Sequence, residues 1–232
     1  SATADWFERR TTDMVGPSQA MPGVLGASVP KENNSTLRTR GWEISLTWKH
    51  ALDNGWAYNI GVSLYDYKSV VTKYFNPTGT LSTWYEGAEV GDIWGYTVND
   101  LFRTKEELDS YLSKVDLTHI AANWNTGDLK YEDTNNDGKV NNGTNTIDDH
   151  GDLSVIGNDQ PHYQYTINGG ISYKGFDFSM LWRGVGKKDM YFYRMSNIFW
   201  GFTNGWWESC LTPGHLDYFR DCLLYTSDAA DD

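Results

Sequence analysis

Apolar and polar residues alternate along residues 41–67. From Trp42 to Lys49 and from Trp56 to Leu64, on either side of Asp53-Asn54-Gly55, the even positions are apolar and the odd positions are polar or small. Asn and Gly accept the positive φ of a tight hairpin turn, so this stretch predicts a long β-hairpin of two strands of about ten residues each, with one apolar face and one polar face. The apolar positions are Trp42, Ile44, Leu46, Trp48, Trp56, Tyr58, Ile60, Val62 and Leu64.

The same pattern returns at residues 162–184, with a turn at Lys174-Gly175 and one interruption, at Leu181. One such hairpin suits a soluble β-sandwich as well as a membrane β-barrel. Two hairpins that each have a short turn at one end and a long connection at the other favour the barrel. Aromatic residues at the strand ends match the belts that lie at lipid headgroups. The alternating apolar residues are Tyr163, Tyr165, Ile167, Ile171, Tyr173, Phe176, Phe178, Met180 and Trp182.

The segments outside the hairpins lack this alternation. Residues 14–39 contain three prolines, which cannot donate to a strand ladder, and we expect a loop there. Residues 68–161 form a long intervening segment with one predicted helix. The helix begins at Thr104, and Glu107 three residues later completes a capping box. Its apolar stripe is a packing surface made of Leu108, Tyr111 and Leu112.

Composition limits the classes of protein that remain. The 232 residues carry a net charge of −12, 15% aromatic residues and a mean hydropathy of −0.58. No run of about eighteen apolar residues predicts a transmembrane helix, whereas barrel strands need apolar residues at only every second position. The acidic balance argues against nucleic acid as a partner. Cys210 and Cys222 suit either a disulfide or two free thiols.

Residues 133–152 contain a motif with specific chemistry. Oxygen-bearing side chains at alternate positions are followed by Gly138, as in the first half of a calcium-binding loop. The twelfth position is Thr144 instead of a bidentate Glu, and Asn, Asp and Gly also favour surface turns without metal, so both interpretations stay open. The expected Ca²⁺ ligands are Asp133, Asn135, Asp137, the carbonyl of Lys139, Asp148 and Asp149, with Asp152 as a further candidate.

Catalytic motifs are absent from the sequence. It has no GxSxG, HExxH, CxxC or P-loop pattern, and no carboxylate pair is placed at a glycosidase spacing. The histidines do not fall at ligand spacing, and we expect them to be loop or rim residues. The chain is therefore not expected to be an enzyme. The histidines concerned are His119, His150, His162 and His215.

Several short motifs occur together in the order and spacing of one family. They are Asp13-Met14, Pro22-Gly23-Val24-Leu25-Gly26, Arg40-Gly41-Trp42-Glu43, Gly127-Asp128-Leu129-Lys130-Tyr131, Asp133-Thr134-Asn135-Asn136-Asp137-Gly138, Val155-Ile156-Gly157-Asn158, Tyr173-Lys174-Gly175-Phe176-Asp177 and Gly184-Val185-Gly186-Lys187-Lys188-Asp189. Over residues 5–221 the chain thereby resembles the SusC/RagA family of TonB-dependent outer-membrane transporters.

The resemblance implies a bacterial outer-membrane protein with a 22-stranded barrel and an internal plug. It also implies energy supplied by the TonB complex and a SusD-like surface lipoprotein that hands over glycans or peptides. We therefore expect an all-β fragment of a transmembrane antiparallel barrel in residues 1–221, with long extracellular loops and one short helix. Residues 68–161 would be a long extracellular segment, and residues 222–232 a non-native tail.

In such a barrel the polar face would line the lumen or contact the plug. Aromatic side chains of the outer segments could stack on sugar rings, although loop packing or contact with a lid is the favoured explanation for each of them. Two other classes stay open: a secreted carbohydrate-binding β-sandwich and a fragment of a glycan-degrading enzyme. The expected inward residues are Asn59, Ser63, Gln164, Thr166, Asn168 and Arg183. The hypothetical ligand contacts are Trp84, Tyr85, Trp94, Trp200, Trp206 and Trp207.

Overall fold

The computed structural model describes residues 1–19, 30–190 and Pro213. Two compact units divide them: Ser1–Asp92 with Gly157–Met190 form unit 1, and the described part of unit 2 is Ile93–Ile156. The elements are β1 (Ala2–Gly16), β2 (Glu32–Ala51), β3 (Trp56–Lys73), β4 (Asp92–Tyr96), β5 (Val98–Leu101), α1 (Lys105–Leu112), β6 (Leu129–Tyr131), β7 (Leu153–Asn158), β8 (His162–Tyr173) and β9 (Phe176–Lys187).

Unit 1 contains a five-stranded sheet in the order β1-β2-β3-β8-β9. Each neighbouring pair is antiparallel. Over the described residues the fold is all-β with one short helix, as expected from the sequence. β3 and β8 pair directly, so residues 74–161 leave and rejoin the sheet between two adjacent strands.

One face of this sheet is apolar and exposed. The register places Ile44 opposite Leu64 and Ile60 opposite Gly169, so that the apolar positions of neighbouring strands share a face. Ile44 is 43% exposed and Phe178 is 64% exposed. A sandwich would have enclosed these side chains in a protein interior. The hairpins therefore carry an uncovered apolar surface, as a lipid-facing sheet requires.

The opposite face is built from small and polar residues. Asn59 lies opposite Gly170 and Asn168 lies opposite Gly61. A Cβ on Gly170 would come within 2.7 Å of the Asn59 amide nitrogen, so each glycine leaves room for an asparagine side chain. The hydroxyl of Tyr65 donates to Gln164 Oε1 at 2.7 Å. These contacts fix the register without apolar packing.

Both predicted hairpin turns are present. Gly55 has φ 87°, and the second turn has φ 44° at Lys174 and φ 88° at Gly175. Two successive positive φ values are the signature of the type I′ turn, which matches the twist of paired strands. The turn chemistry of the sequence therefore sets where each hairpin reverses.

The expected loop at residues 14–39 and the expected strand lengths are wrong in part. β1 continues to Gly16, β2 begins at Glu32, and β2 and β3 contain 20 and 18 residues instead of about ten. The prolines are still outside strands, since Pro17 and Pro30 both lie between β1 and β2. Polar residues join these strands because pairing with β1 and β3 satisfies their backbone groups.

Unit 2 has its own small core. Phe102, Leu108, Leu117 and Val140 are 0–1% exposed and pack together. The predicted helix is confirmed: the backbone N–H of Glu107 donates to Thr104 Oγ1 at 3.2 Å. Glu107 itself accepts from the N–H of Arg103, one residue before the cap. Leu108 is fully buried, whereas Leu112 is 36% exposed and lies outside the core.

Short two-stranded sheets complete the fold. β4 pairs with β7, and β5 pairs antiparallel with β6. Within the described part of the chain, no helix has the length and apolar character needed to cross a membrane.

Candidate functional site

The aromatic candidates are placed in two separate environments. Trp84 belongs to unit 1 and packs edge-on against Tyr74, with ring centroids 5.8 Å apart. Trp94 belongs to unit 2 and is half-buried against His150 at 5.5 Å. The neighbouring Tyr85 is half-buried, and its carbonyl accepts from the N–H of Ala88 at 3.1 Å. The rings of Trp84 and Trp94 therefore each have local packing to explain them, and Trp84 keeps 36% of its surface exposed.

Several sequence candidates lie outside the described residues. They are Trp200, Trp206, Trp207, Cys210, Cys222 and His215.

The Asp-rich turn is closed by hydrogen bonds from its backbone N–H groups to its own side-chain oxygens. Asp133 Oδ2 accepts from the N–H of Gly138 at 2.8 Å, and Asn135 Oδ1 accepts from the N–H of Asp137 at 2.9 Å. Gly138 has φ 82°, which is a conformation that glycine reaches without strain. Asp137 Oδ1 accepts from the N–H of Lys139 at 2.8 Å. Side-chain oxygens at alternate positions thus close one tight turn.

Asp152, which comes later in the sequence than this turn, contributes to holding it in place. Its side chain is fully buried, and it accepts from the N–H groups of Thr134 at 2.8 Å and Asn141 at 2.9 Å. A buried carboxylate is stable only when hydrogen bonds replace its lost hydration. Asp152 therefore helps to hold residues 134–141 in place through hydrogen bonds.

The remaining predicted metal ligands are used differently. Asp149 Oδ2 accepts from the N–H of Thr144 at 3.0 Å and so closes the following turn, while Asp148 is exposed. Among residues 1–19 and 30–190, no group of three or more His, Cys, Asp and Glu side chains is close enough to hold a metal ion. Calcium binding by the predicted set stays a prediction.

A buried polar pair in unit 1 was not identified from the sequence. Asp66 Oδ1 receives hydrogen bonds from His162 Nδ1 at 2.7 Å and from the N–H of Tyr163 at 3.3 Å. His162 and Asp66 are both 8% exposed, so His162 is a buried residue at the first position of β8 and not a loop residue. The pair joins β3 to β8 at the end where residues 74–161 begin and end. One signal was available: Asp66 interrupts the run of apolar even positions that ends at Leu64.

Charged groups also stabilise unit 2. Lys130 Nζ lies 2.9 Å from Glu107 Oε1, and this ammonium, together with the N–H of Arg103, lowers the pKa of Glu107 below its ordinary value. The guanidinium of Arg103 and the N–H of Leu101 lower the pKa of Asp100 in the same way. These carboxylates are charged at neutral pH and favour the folded unit.

The described elements define an open antiparallel sheet with one exposed apolar face and a long insertion between paired strands. This arrangement is similar in fold to part of two solved structures of the RagAB peptide importer. The "closed-closed" state matches with 16% identity and a TM-score of 0.51, over 79% of this chain and 19% of that chain. The "open-open" state matches with 15% identity and a TM-score of 0.52, over 79% and 18%.

The likeness therefore concerns fold, over about a fifth of the length of those proteins. No protein-family model matches the chain, and no curated protein matches it either.

Proposed function

We propose that this chain is part of a TonB-dependent transporter of the bacterial outer membrane that imports oligosaccharides or peptides. The observation that carries the proposal is the exposed apolar face shared by β1, β2, β3, β8 and β9. Exposed apolar patches of this extent are rare on soluble monomers and mark contact with a membrane or a partner. The fold likeness to a peptide importer agrees with this reading.

The dimensions of the apolar face support a membrane-spanning role. Along β8, the alternating side chains extend from Tyr163 to Tyr173, which is about 34 Å at the rise of an antiparallel strand. Strands tilted by about 40° in a barrel would project this length to about 26 Å, close to the apolar band of about 25 Å in outer-membrane barrels. Tyrosines at both ends fit the headgroup regions on either side.

The polar face supports a water-filled or plugged interior. Asn59, Gln164 and Asn168 engage cross-strand partners on this side, and none requires an apolar environment. In the proposed barrel this face would contact the lumen or the plug. Residues 74–161 would then form an outer loop with its own folded core, since long loops on a rigid scaffold commonly carry recognition.

The proposal includes a SusD-like lipoprotein partner and the TonB complex, and it assigns no catalysis to the chain. In a strain that carries the gene, we expect the protein in the outer-membrane fraction, extractable only with detergent and recovered with a surface lipoprotein. Deleting the gene should abolish uptake of a labelled peptide or oligosaccharide pool, and a proton uncoupler should abolish the same uptake. Recovery as a soluble secreted protein, or hydrolysis of either pool by the purified protein, would contradict the proposal.

A further inference from the structure

The apolar face of unit 1 becomes basic beyond Trp6 and Trp42. Farther along the same face, β1 carries Glu8 and then Arg10, β2 carries Arg40 and then Arg38, and β3 carries Asp66 and then Lys68. We call Arg10, Arg38, Arg40 and Lys68 the basic rim. The register places Arg10 directly opposite Arg38, and Arg40 directly opposite Lys68. Like charges in opposed positions destabilise a sheet. Two such pairs side by side point to an external anion that offsets the repulsion.

The carboxylates nearby do not neutralise the basic rim. Glu8 is shared between two guanidiniums, with its oxygens 2.7 Å from Arg40 Nε and 3.0 Å from Arg10 Nε. Lys68 lies 3.1 Å from Glu89 Oε2. Arg38 forms no ion pair with any described residue of the chain. A protein with a net charge of −12 thus concentrates basic side chains at one edge of its apolar surface.

The basic rim borders a concavity that is large enough to hold an anionic group. Its volume is ≈ 320 Å³, and its wall combines the basic groups of Arg38, Arg40 and Lys68 with the indole rings of Trp6 and Trp42. Trp6 is 67% exposed. The carboxylate of Asp66, which also lines the concavity, is engaged with His162 at 2.7 Å. An anion entering here would meet guanidinium donors on one side and apolar ring surfaces on the other.

We propose that this concavity binds the phosphate-bearing headgroup of a membrane lipid. Guanidinium groups match the geometry of phosphate oxygens, and tryptophan rings favour the boundary between headgroup and acyl chain. A lipid is favoured over a soluble phosphate because the apolar face continues directly from Trp6 and Trp42 to Ile44 and Leu46, where the acyl chains would lie. The inference rests on the proposed membrane location.

The test uses protein extracted from membranes in mild detergent, with retained lipid measured by native mass spectrometry. Arg38→Gln is the decisive variant because it breaks no ion pair. We expect it to reduce the retention of phosphate-bearing lipid about fivefold, as for one basic contact at a charged surface. Arg9→Gln is the matched control, because Arg9 adjoins Arg10 on β1 but lies opposite Thr39 on the other face. The Arg9→Gln variant should retain as much phosphate-bearing lipid as the wild type.

Equal retention in wild type and Arg38→Gln would overturn the inference. So would displacement of the lipid by millimolar inorganic phosphate, which would indicate a site for free phosphate, or equal retention of lipids without phosphate. Membrane fractionation of the same samples separates this result from the parent proposal. A protein absent from the membrane fraction contradicts both, whereas a membrane protein with unselective lipid retention contradicts this inference alone.

Discussion

Substitution of Ile60 by arginine tests whether the apolar face meets lipid. Ile60 lies midway along the apolar run of β3, four residues from both Trp56 and Leu64, and it is 47% exposed. Four residues correspond to about 14 Å along a strand, or about 10 Å along the normal of a bilayer at a strand tilt of about 40°. The side chain would thus lie near the midplane of the hydrocarbon layer.

A lipid-facing position and a water-facing position predict different losses of folding free energy for Ile60→Arg. An arginine facing lipid at the midplane costs about 2–4 kcal/mol, which lowers the folding equilibrium constant about 30-fold to 700-fold. A half-exposed isoleucine on a water-facing surface can be replaced at a cost within about 0.5 kcal/mol. The expected difference is several times larger than the error of a denaturant titration.

The assay is reversible unfolding by denaturant in phospholipid vesicles, followed by tryptophan fluorescence. Ser63→Arg serves as the control, because Ser63 lies on the polar face three residues away, opposite Ser45 and Thr166. We expect a large loss of stability for Ile60→Arg and a small one for Ser63→Arg. Equal small effects at both positions would refute the lipid-facing assignment.

Further predictions concern unit 2. Leu108→Ala should destabilise the unit by about 2–5 kcal/mol because it opens a cavity in the buried core, whereas Leu112→Ala, at a 36% exposed position, should cost less than about 1 kcal/mol by thermal unfolding. Since the fold lowers the pKa of Glu107, its contribution is present above the ordinary value of 4.5 and is lost as pH falls through the folded pKa; Lys130→Met should flatten this acid dependence, and an unchanged profile would contradict it. If the Asp-rich turn binds calcium, millimolar CaCl₂ should raise the Tm of the wild type but not that of Asp133→Asn, whereas Asp152→Asn should lower the Tm with or without calcium. Identical wild-type Tm values in CaCl₂ and in chelator would show the calcium prediction to be wrong.

The hairpins could be predicted because the sequence signals that specify them are local. Apolar residues with a period of two decide which side of a strand each residue occupies. Gly55 in the first turn, and Lys174 and Gly175 in the second, supply the positive φ values at which the chain reverses. Neither the alternation nor the turn residues depend on a distant partner, so both can be recognised in a single sequence.

The outer parts of the long strands could not be predicted in the same way. Residues 32–36 are almost entirely polar, and no alternation distinguishes them from a loop. They form a strand because β1 pairs with residues 32–35 and the end of β3 reaches Thr36, and such pairing is a property of the sheet. The strands β4 to β7 contain three to six residues each, too few for periodicity to identify.

The Asp66–His162 contact was missed for a related reason. The two residues are 96 positions apart, and neither belongs to a motif. Their proximity follows from the direct pairing of β3 with β8, which the long connection conceals. A charged residue such as Asp66, at the end of a run of apolar even positions, indicates either that the apolar face ends there or that the charge has a buried partner.

The junction between β3 and β8 explains how a sheet can carry so large an insertion. Doubling the length of a loop adds only about 0.6 kcal/mol of closure entropy, so length alone is a minor obstacle if the strand ends stay fixed. Here Val71 donates to the carbonyl of Ala88 at 2.9 Å and accepts from the N–H of Gly87 at 2.8 Å, while Asp66 and His162 bind each other within the protein interior. The Asp66–His162 contact holds the end of β3 beside the start of β8, and the Val71 hydrogen bonds attach Gly87 and Ala88 of the insertion to β3. In the proposed transporter, the rest of the insertion could therefore change with the imported molecule while the register of the five strands stays the same.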